Sequence, residues 1–227
     1  MKILVVVAHP DDEVLGCGGT IAKYSQNGDE VYVLILGEGV TSRYLMRKGF
    51  SKKELVDLKK EALKANKILR IKKTCFCNFP DNRLDTVALL DIVKQIEKVK
   101  SKIMPEVVYT HHRGDLNIDH QITFNAVLTA CRPIKGETVR EIYSFEIPSS
   151  TEWSFYGTFG NFTPNVFIDI SDTIDKKVEA MKCYESELCE YPNPRSLEGI
   201  RIIAKRWGLV VGKKEVEPFI LIRQIKG

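Results

Sequence analysis

All four histidines of this 227-residue chain fall in two short polar segments. His9 stands in the run AHPDDE, residues 8–13, and His111, His112 and His120 stand in HHRGDLNIDH, residues 111–120. Imidazole and carboxylate are the usual ligands of catalytic zinc, which takes three protein groups and keeps a fourth position for water. His9 and Asp12 are three residues apart, so one turn of chain brings both toward a common point. Asp11 between them projects elsewhere and need not be a ligand. Pro10 pre-sets that turn and removes a backbone donor. His120 is the natural third ligand, and Asp119 beside it is placed to orient a neighbouring polar group. Two aspartates and a glutamate in succession repel one another, and a cation offsets that repulsion. Each residue alone has a plainer account, as a helix-capping aspartate or an exposed loop histidine. Only the coincidence of the two segments favours the metal.

The surrounding pattern explains where such groups would meet. Residues 3–8 are a continuous β-branched run, the mark of a strand buried on both faces of a parallel sheet. Helix is expected at 14–27, with Gly28 as the stop, and strand at 30–36. A second helix is expected at 51–69, opened by Ser51 with Glu54 completing a capping box. Strand at 74–79, helix at 87–100, strand at 106–110, a polar loop at 111–119 and helix to about 130 follow. This alternation predicts a Rossmann-like α/β fold, a mainly parallel sheet flanked by helices. Both histidine segments then sit at carboxyl ends of strands, where open α/β sheets bind ligands. Beyond it a smaller α+β extension is expected: strands at 141–145, 165–170 and 217–222, helices at 174–188 and 196–209. The whole reads as one domain, with a core of about 1–135 and an extension of about 136–227. Residues 148–163 read as a long loop of the kind that forms lids.

Composition excludes other classes. The net charge of +4, from 34 basic and 30 acidic residues, is spread along the chain and argues against nucleic acid as partner. The apolar run at the start is too short for a secretory signal, and no stretch reaches the ~20 apolar residues of a membrane span. The expected location is the cytoplasm. The six cysteines, none in a C-x-x-C pair, read as buried free thiols.

The segments AHPDDE, LGCGGT and GDLNIDH, in that order over about the first 130 residues, resemble the PIG-L/LmbE family of metal-dependent N-deacetylases. The tail PNPRSLEGIRIIAKRWG resembles members of one of its branches. The resemblance implies one zinc ion per subunit, or another divalent ion in its place, held by His9, Asp12 and His120, with Asp11 as general base. It implies removal of an acetyl group from an amino-sugar substrate of the N-acetylglucosamine type, a glycoside or sugar nucleotide, and it allows a homo-oligomer. One position departs from the pattern. Many members carry a histidine three residues before the metal histidine, where this chain has Asn117, which can donate a hydrogen bond but supplies no proton at neutral pH. Asn117 then stabilises an oxyanion, with the acid role passing to Asp11 or His112, or the reaction differs.

Two rival functions follow. One is a non-catalytic or altered sugar- or nucleotide-binding protein that retains the site, favoured by Asn117 and opposed by the intact Asp11. The other is a zinc hydrolase of a non-sugar amide. Arg43 resembles the family's substrate-side arginine, with Asp81 and Arg83 as weaker candidates; a solvated loop arginine accounts for Arg43 equally. Trp153, Phe155 and Tyr156 either stack on a sugar ring or pack as a lid. Gly16, Gly18 and Gly19 read first as close helix–sheet packing and second as room for a ligand.

Overall fold

The buried run Lys2–Val7 (β1) forms the centre of the sheet because its side chains are apolar on both faces. The computed structural model describes residues 1–43, 52–155 and 160–226, without the side chain of Arg43. The remaining elements are α1 (Asp12–Gln26), β2 (Glu30–Gly37), α2 (Lys52–Ile68), β3 (Lys73–Phe79), α3 (Leu89–Ile103), β4 (Val107–His111), α4 (Ile118–Ala130), β5 (Glu141–Phe145), β6 (Val166–Asp169), α5 (Ile174–Met181), α6 (Leu197–Val211) and β7 (Val216–Gln224). The strands lie in one sheet in the order β3-β2-β1-β4-β5-β7-β6. The first five run parallel, and β7 is antiparallel to both β5 and β6. The fold is α/β, as the sequence predicts. The expected extension, however, continues the same sheet through β5, β7 and β6.

Alternation along β1 splits the core. Ile3, Val5 and Val7 face α1, α2, α5 and α6; Leu4 and Val6 face α3 and α4. From β1 the chain winds outward to β2 and β3, then returns to place β4 on the other side. The strand order therefore reverses between β1 and β4, and a crevice opens beyond their carboxyl ends. No described helix is long and apolar enough to cross a membrane.

Three expectations need correction. His111 is not in a polar loop: it is the last residue of β4 and fully buried. The helix expected at 174–188 ends at Met181, because the chain turns inward to bury Tyr184, whose hydroxyl donates to Glu13 Oε1 at 2.5 Å. The thiols are free, but only Cys17 and Cys131 are buried and Cys189 is exposed. The expected Ser51 cap lies outside the described residues.

Helix α1 is broken at Cys17 (φ −150°, ψ 25°), and its second half is capped from far away. The Glu217 carboxylate on β7 accepts the N–H groups of Gly19 (2.9 Å) and Thr20 (2.7 Å). The buried Lys177 of α5 donates to Glu217 (2.6 Å) and to the Leu15 carbonyl (2.8 Å). At Gly16 an added Cβ would stand 2.4 Å from the Phe145 ring, and at Gly19 2.7 Å from Ile170. These two glycines serve packing. Removing one charge of a buried pair strands the other, so Glu217→Gln is expected to cost about 3–5 kcal/mol in urea unfolding. A loss below about 1 kcal/mol would show that Lys177 finds water or another partner.

Candidate metal centre

The two histidine segments are tied together by backbone first. Ala8 N–H, just past β1, donates to Nε2 of His111 at the end of β4 (2.9 Å), and His9 N–H donates to Asp12 Oδ2 (2.8 Å). That Asp12 oxygen lies 3.5 Å from His9 Nδ1 and 3.4 Å from His120 Nε2. One ligand atom from each of His9, Asp12 and His120 lies within 4.8 Å of the others. Donors bonded at about 2 Å to one tetrahedral ion stand about 3.3 Å from one another, close to the spacing of the Asp12 oxygen from both imidazoles.

The outward nitrogens carry carboxylates. His9 Nε2 lies 3.0 Å from Asp119 Oδ2 and 3.2 Å from Asp81 Oδ1, and His120 Nδ1 lies 3.0 Å from Asp115 Oδ1. The His9–Asp119 hydrogen bond fixes the tautomer of His9 and aims its other ring nitrogen inward, and Asp115 places a negative charge behind His120. His9, Asp81 and Asp119 form a second group of the same compactness. There the carboxylates already accept N–H groups, Asp119 from Leu84 and Asp81 from Ser42, both at 2.9 Å. That group supports His9.

Electrostatics draw positive charge to this point. Burial by itself would lower the His120 pKa, yet Asp12 and Asp115 raise it to about 9. Burial likewise opposes charge on His9, and Asp119 and Asp12 hold it well above the ordinary range. Burial disfavours the Asp12 anion, but His120 and His111 keep its pKa well below normal. Both imidazoles are thus pushed toward their cationic forms beside a buried carboxylate. The donor set, two imidazoles and one carboxylate, is that of an open catalytic zinc site.

Asp11 stands beside this set and outside it. It precedes α1 with φ 98°, a left-handed conformation costly for any residue with a Cβ. Its N–H donates to Glu13 Oε2 (3.1 Å), and Glu13 is held by Tyr184. Burial raises the Glu13 pKa to about 7. Burial also drives Asp11 well above the aspartate range; Arg195 opposes this, and Asp12, Glu187 and Glu13 add to it. Asp11 lines a polar cleft of about 210 Å³ together with His9, Asp12, Asp81, Asn117, His120 and Arg195.

Other candidates fall in different places. Asn117 caps α4: its Oδ1 accepts the N–H of Asp119 (2.8 Å), and its Nδ2 donates to Asn82 (2.9 Å). Among the described residues a second N–H of its amide is left over, and Asn117 lines the cleft. His112 turns to the 160–162 segment, with Nε2 3.2 Å from the Gly160 carbonyl and its ring edge-on to Phe162, and it does not line the cleft. The Arg43 side chain and Tyr156 lie outside the described residues. Phe155 lines a separate cavity of about 720 Å³ with Trp207, Phe162 and Tyr191.

Two participants escaped the sequence reading. Asp115 accepts the hydroxyls of Ser150 and Thr151 (both 2.5 Å) and so ties the 147–151 segment to His120. Burial would raise its pKa, but His120 and these hydrogen bonds lower it to about 2. Arg195 reaches Asp11 from 184 residues away (Nη2 to Oδ2, 2.5 Å) and lies in the tail segment that resembles one branch of the family, where spacing assigns it no partner.

A crevice at a topological switch point, holding a three-ligand group beside a buried carboxylate outside that group, defines a metal-hydrolase type of site. Residues 4–131 match the family model described as GlcNAc-PI de-N-acetylase. The chain belongs to this PIG-L (LmbE-like) family of deacetylases and is an enzyme of the amide-hydrolase class. It is 30% identical over 190 residues to the uncharacterized deacetylase YaiS of Escherichia coli, covering 81% of this chain and 90% of that protein. It is 25% identical to a diacetylchitobiose deacetylase of Thermococcus kodakarensis (95% and 81% covered). It is also 29% identical to a 4-oxalmesaconate hydratase of Pseudomonas putida (83% and 75% covered). The conserved protein TT1542 of Thermus thermophilus has the same fold, with a TM-score of 0.77, 24% identity and coverage of 99% of this chain and 96% of that one.

Proposed function

We propose that this enzyme is a zinc-dependent deacetylase of an N-acetylated amino sugar, of the N-acetylglucosamine type. The observation that carries the reading is the convergence of His9, Asp12 and His120 on one point with Asp11 beside them and outside the ligand group. The names of the family model and of the diacetylchitobiose deacetylase supply the sugar class. Bound by these three residues, zinc would supply Lewis acidity toward the amide carbonyl and toward a water. Asp11 takes the proton of the attacking water and returns it to the departing amine nitrogen. Burial raises its proton affinity above that of an ordinary aspartate, which makes it a stronger base. With Asn117 engaged as a helix cap and His112 turned away from the cleft, the acid role also falls to Asp11. Asp119 holds His9 from behind, and Asp119→Asn is expected to weaken zinc binding about 10–100-fold in a competitive chelator titration.

The test is amine release from N-acetylglucosamine, diacetylchitobiose and an N-acetyl amino acid, with and without chelator. The expected outcome is release from the sugars only, abolished by the chelator. Release from the amino acid alone would move the protein to the non-sugar amide class. Hydration of an unsaturated oxo acid without any amine release would place it with the hydratase relative.

A further inference from the structure

The C-terminal segment contributes a group to the site that lies outside the matched residues 4–131. We infer that Arg195 is a positioning residue for Asp11: it clamps one carboxylate oxygen so that the other is presented to the cleft. This rests on the functional reading above only for the part played by Asp11 in the reaction.

The clamp is built from both ends. Arg195 sits in a turn that leads into α6. Its own N–H donates to Asn193 Oδ1 (2.9 Å), Ser196 N–H donates to the Asn193 carbonyl (2.9 Å), and Ser196 Oγ caps the helix by accepting Gly199 N–H (2.9 Å). At Gly199 an added Cβ would meet the Pro194 carbonyl oxygen at 2.7 Å, so the turn is packed down on the helix start. From the other side, Asp11 is held in its left-handed conformation by Glu13 and Tyr184. The single side-chain hydrogen bond of the guanidinium among the described residues goes to Asp11 Oδ2, and its Nε is buried without a partner. A side chain anchored for packing would satisfy that nitrogen. Here the geometry favours one contact. Among the described residues, Asp11 Oδ1 accepts no hydrogen bond, and Asp11 lines the cleft. A bidentate or free carboxylate would leave the identity of the reactive oxygen open; a single guanidinium N–H on Oδ2 decides it.

The test is a double-mutant cycle with Arg195→Met and Asp11→Asn in the full chain, read in two ways. In turnover of the acetylated sugar, Arg195→Met is expected to lower kcat about tenfold or more, with KM within about twofold and zinc content unchanged. Added guanidinium ion is expected to restore part of kcat, and Arg195→Lys part as well. In the Asp11→Asn background, Arg195→Met is expected to have no further effect on turnover. In urea unfolding of the same four proteins, the pair is expected to couple by at least about tenfold in the unfolding equilibrium constant. Equal effects of Arg195→Met in both backgrounds, or a large rise in KM with kcat intact, would overturn the inference. If the wild type releases no amine from any acetylated sugar, the functional reading fails. The unfolding cycle then still decides whether Arg195 holds Asp11.

Discussion

Asp11→Asn is expected to lower turnover about 10²–10⁴-fold, the range associated with loss of a general base. Asparagine keeps the size of the side chain while removing its charge, and with it the ion pair to Arg195 and the proton acceptor. His9, Asp12 and His120 do not depend on Asp11 for their placement: His9 is held by Asp119, Asp12 accepts the backbone of His9, and His120 is paired with Asp115. Zinc content measured on the purified variant is therefore expected to equal that of the wild type. The combination of full metal content and collapsed turnover separates a base from a ligand. Full turnover in the variant would remove Asp11 from the mechanism. Lost zinc would make it part of the metal site.

Stripping the metal is expected to abolish amine release and to return it on adding zinc. It is also expected to lower the unfolding free energy, by about 4 kcal/mol if the free ion had been at a thousand times its dissociation constant. The ion and protons compete for the same imidazoles. In the ion-free protein His120 titrates at about 9, so below that pH it must release a proton before it can bind. Zinc affinity is then expected to fall about tenfold per pH unit below about 9, and more steeply where His9, shifted in the same direction, also carries a proton. The stability of the ion-free protein follows the same groups. The raised His120 pKa stabilises the fold fully below 6.5, its ordinary value, and that contribution is lost as pH rises through about 9. Melting of the ion-free enzyme should therefore weaken across that window while the zinc-loaded enzyme does not. An affinity independent of pH would mean that His120 is not a ligand.

The parts legible in the sequence are those set by local pattern. The run of β-branched residues at 3–7, the capped helix at α6 and the alternation through residue 130 mark the α/β fold because backbone propensity and side-chain periodicity act over a few residues. His9 and Asp12 were readable as a pair because a single turn joins them. His120 was readable with them because strand ends gather at one edge of a parallel sheet. His111 was misplaced because the chain stays in the sheet one residue longer, where its ring Nε2 accepts the N–H of Ala8. For Asn117 the residue type allowed an oxyanion donor, and the fold adds what spacing does not show: its Oδ1 caps α4, one N–H holds Asn82, and the residue lines the cleft.

Composition and short-range spacing determined the fold class, the strand ends that carry chemistry and the residue types able to bind an ion. Tertiary structure alone decided which carboxylate stands behind each histidine, that Glu217 and Lys177 cap a broken helix, and that Arg195 meets Asp11. The physical reason is range. Propensity and turn chemistry are properties of neighbouring residues, whereas a buried charge takes whichever partner the packed chain delivers, from however far along it.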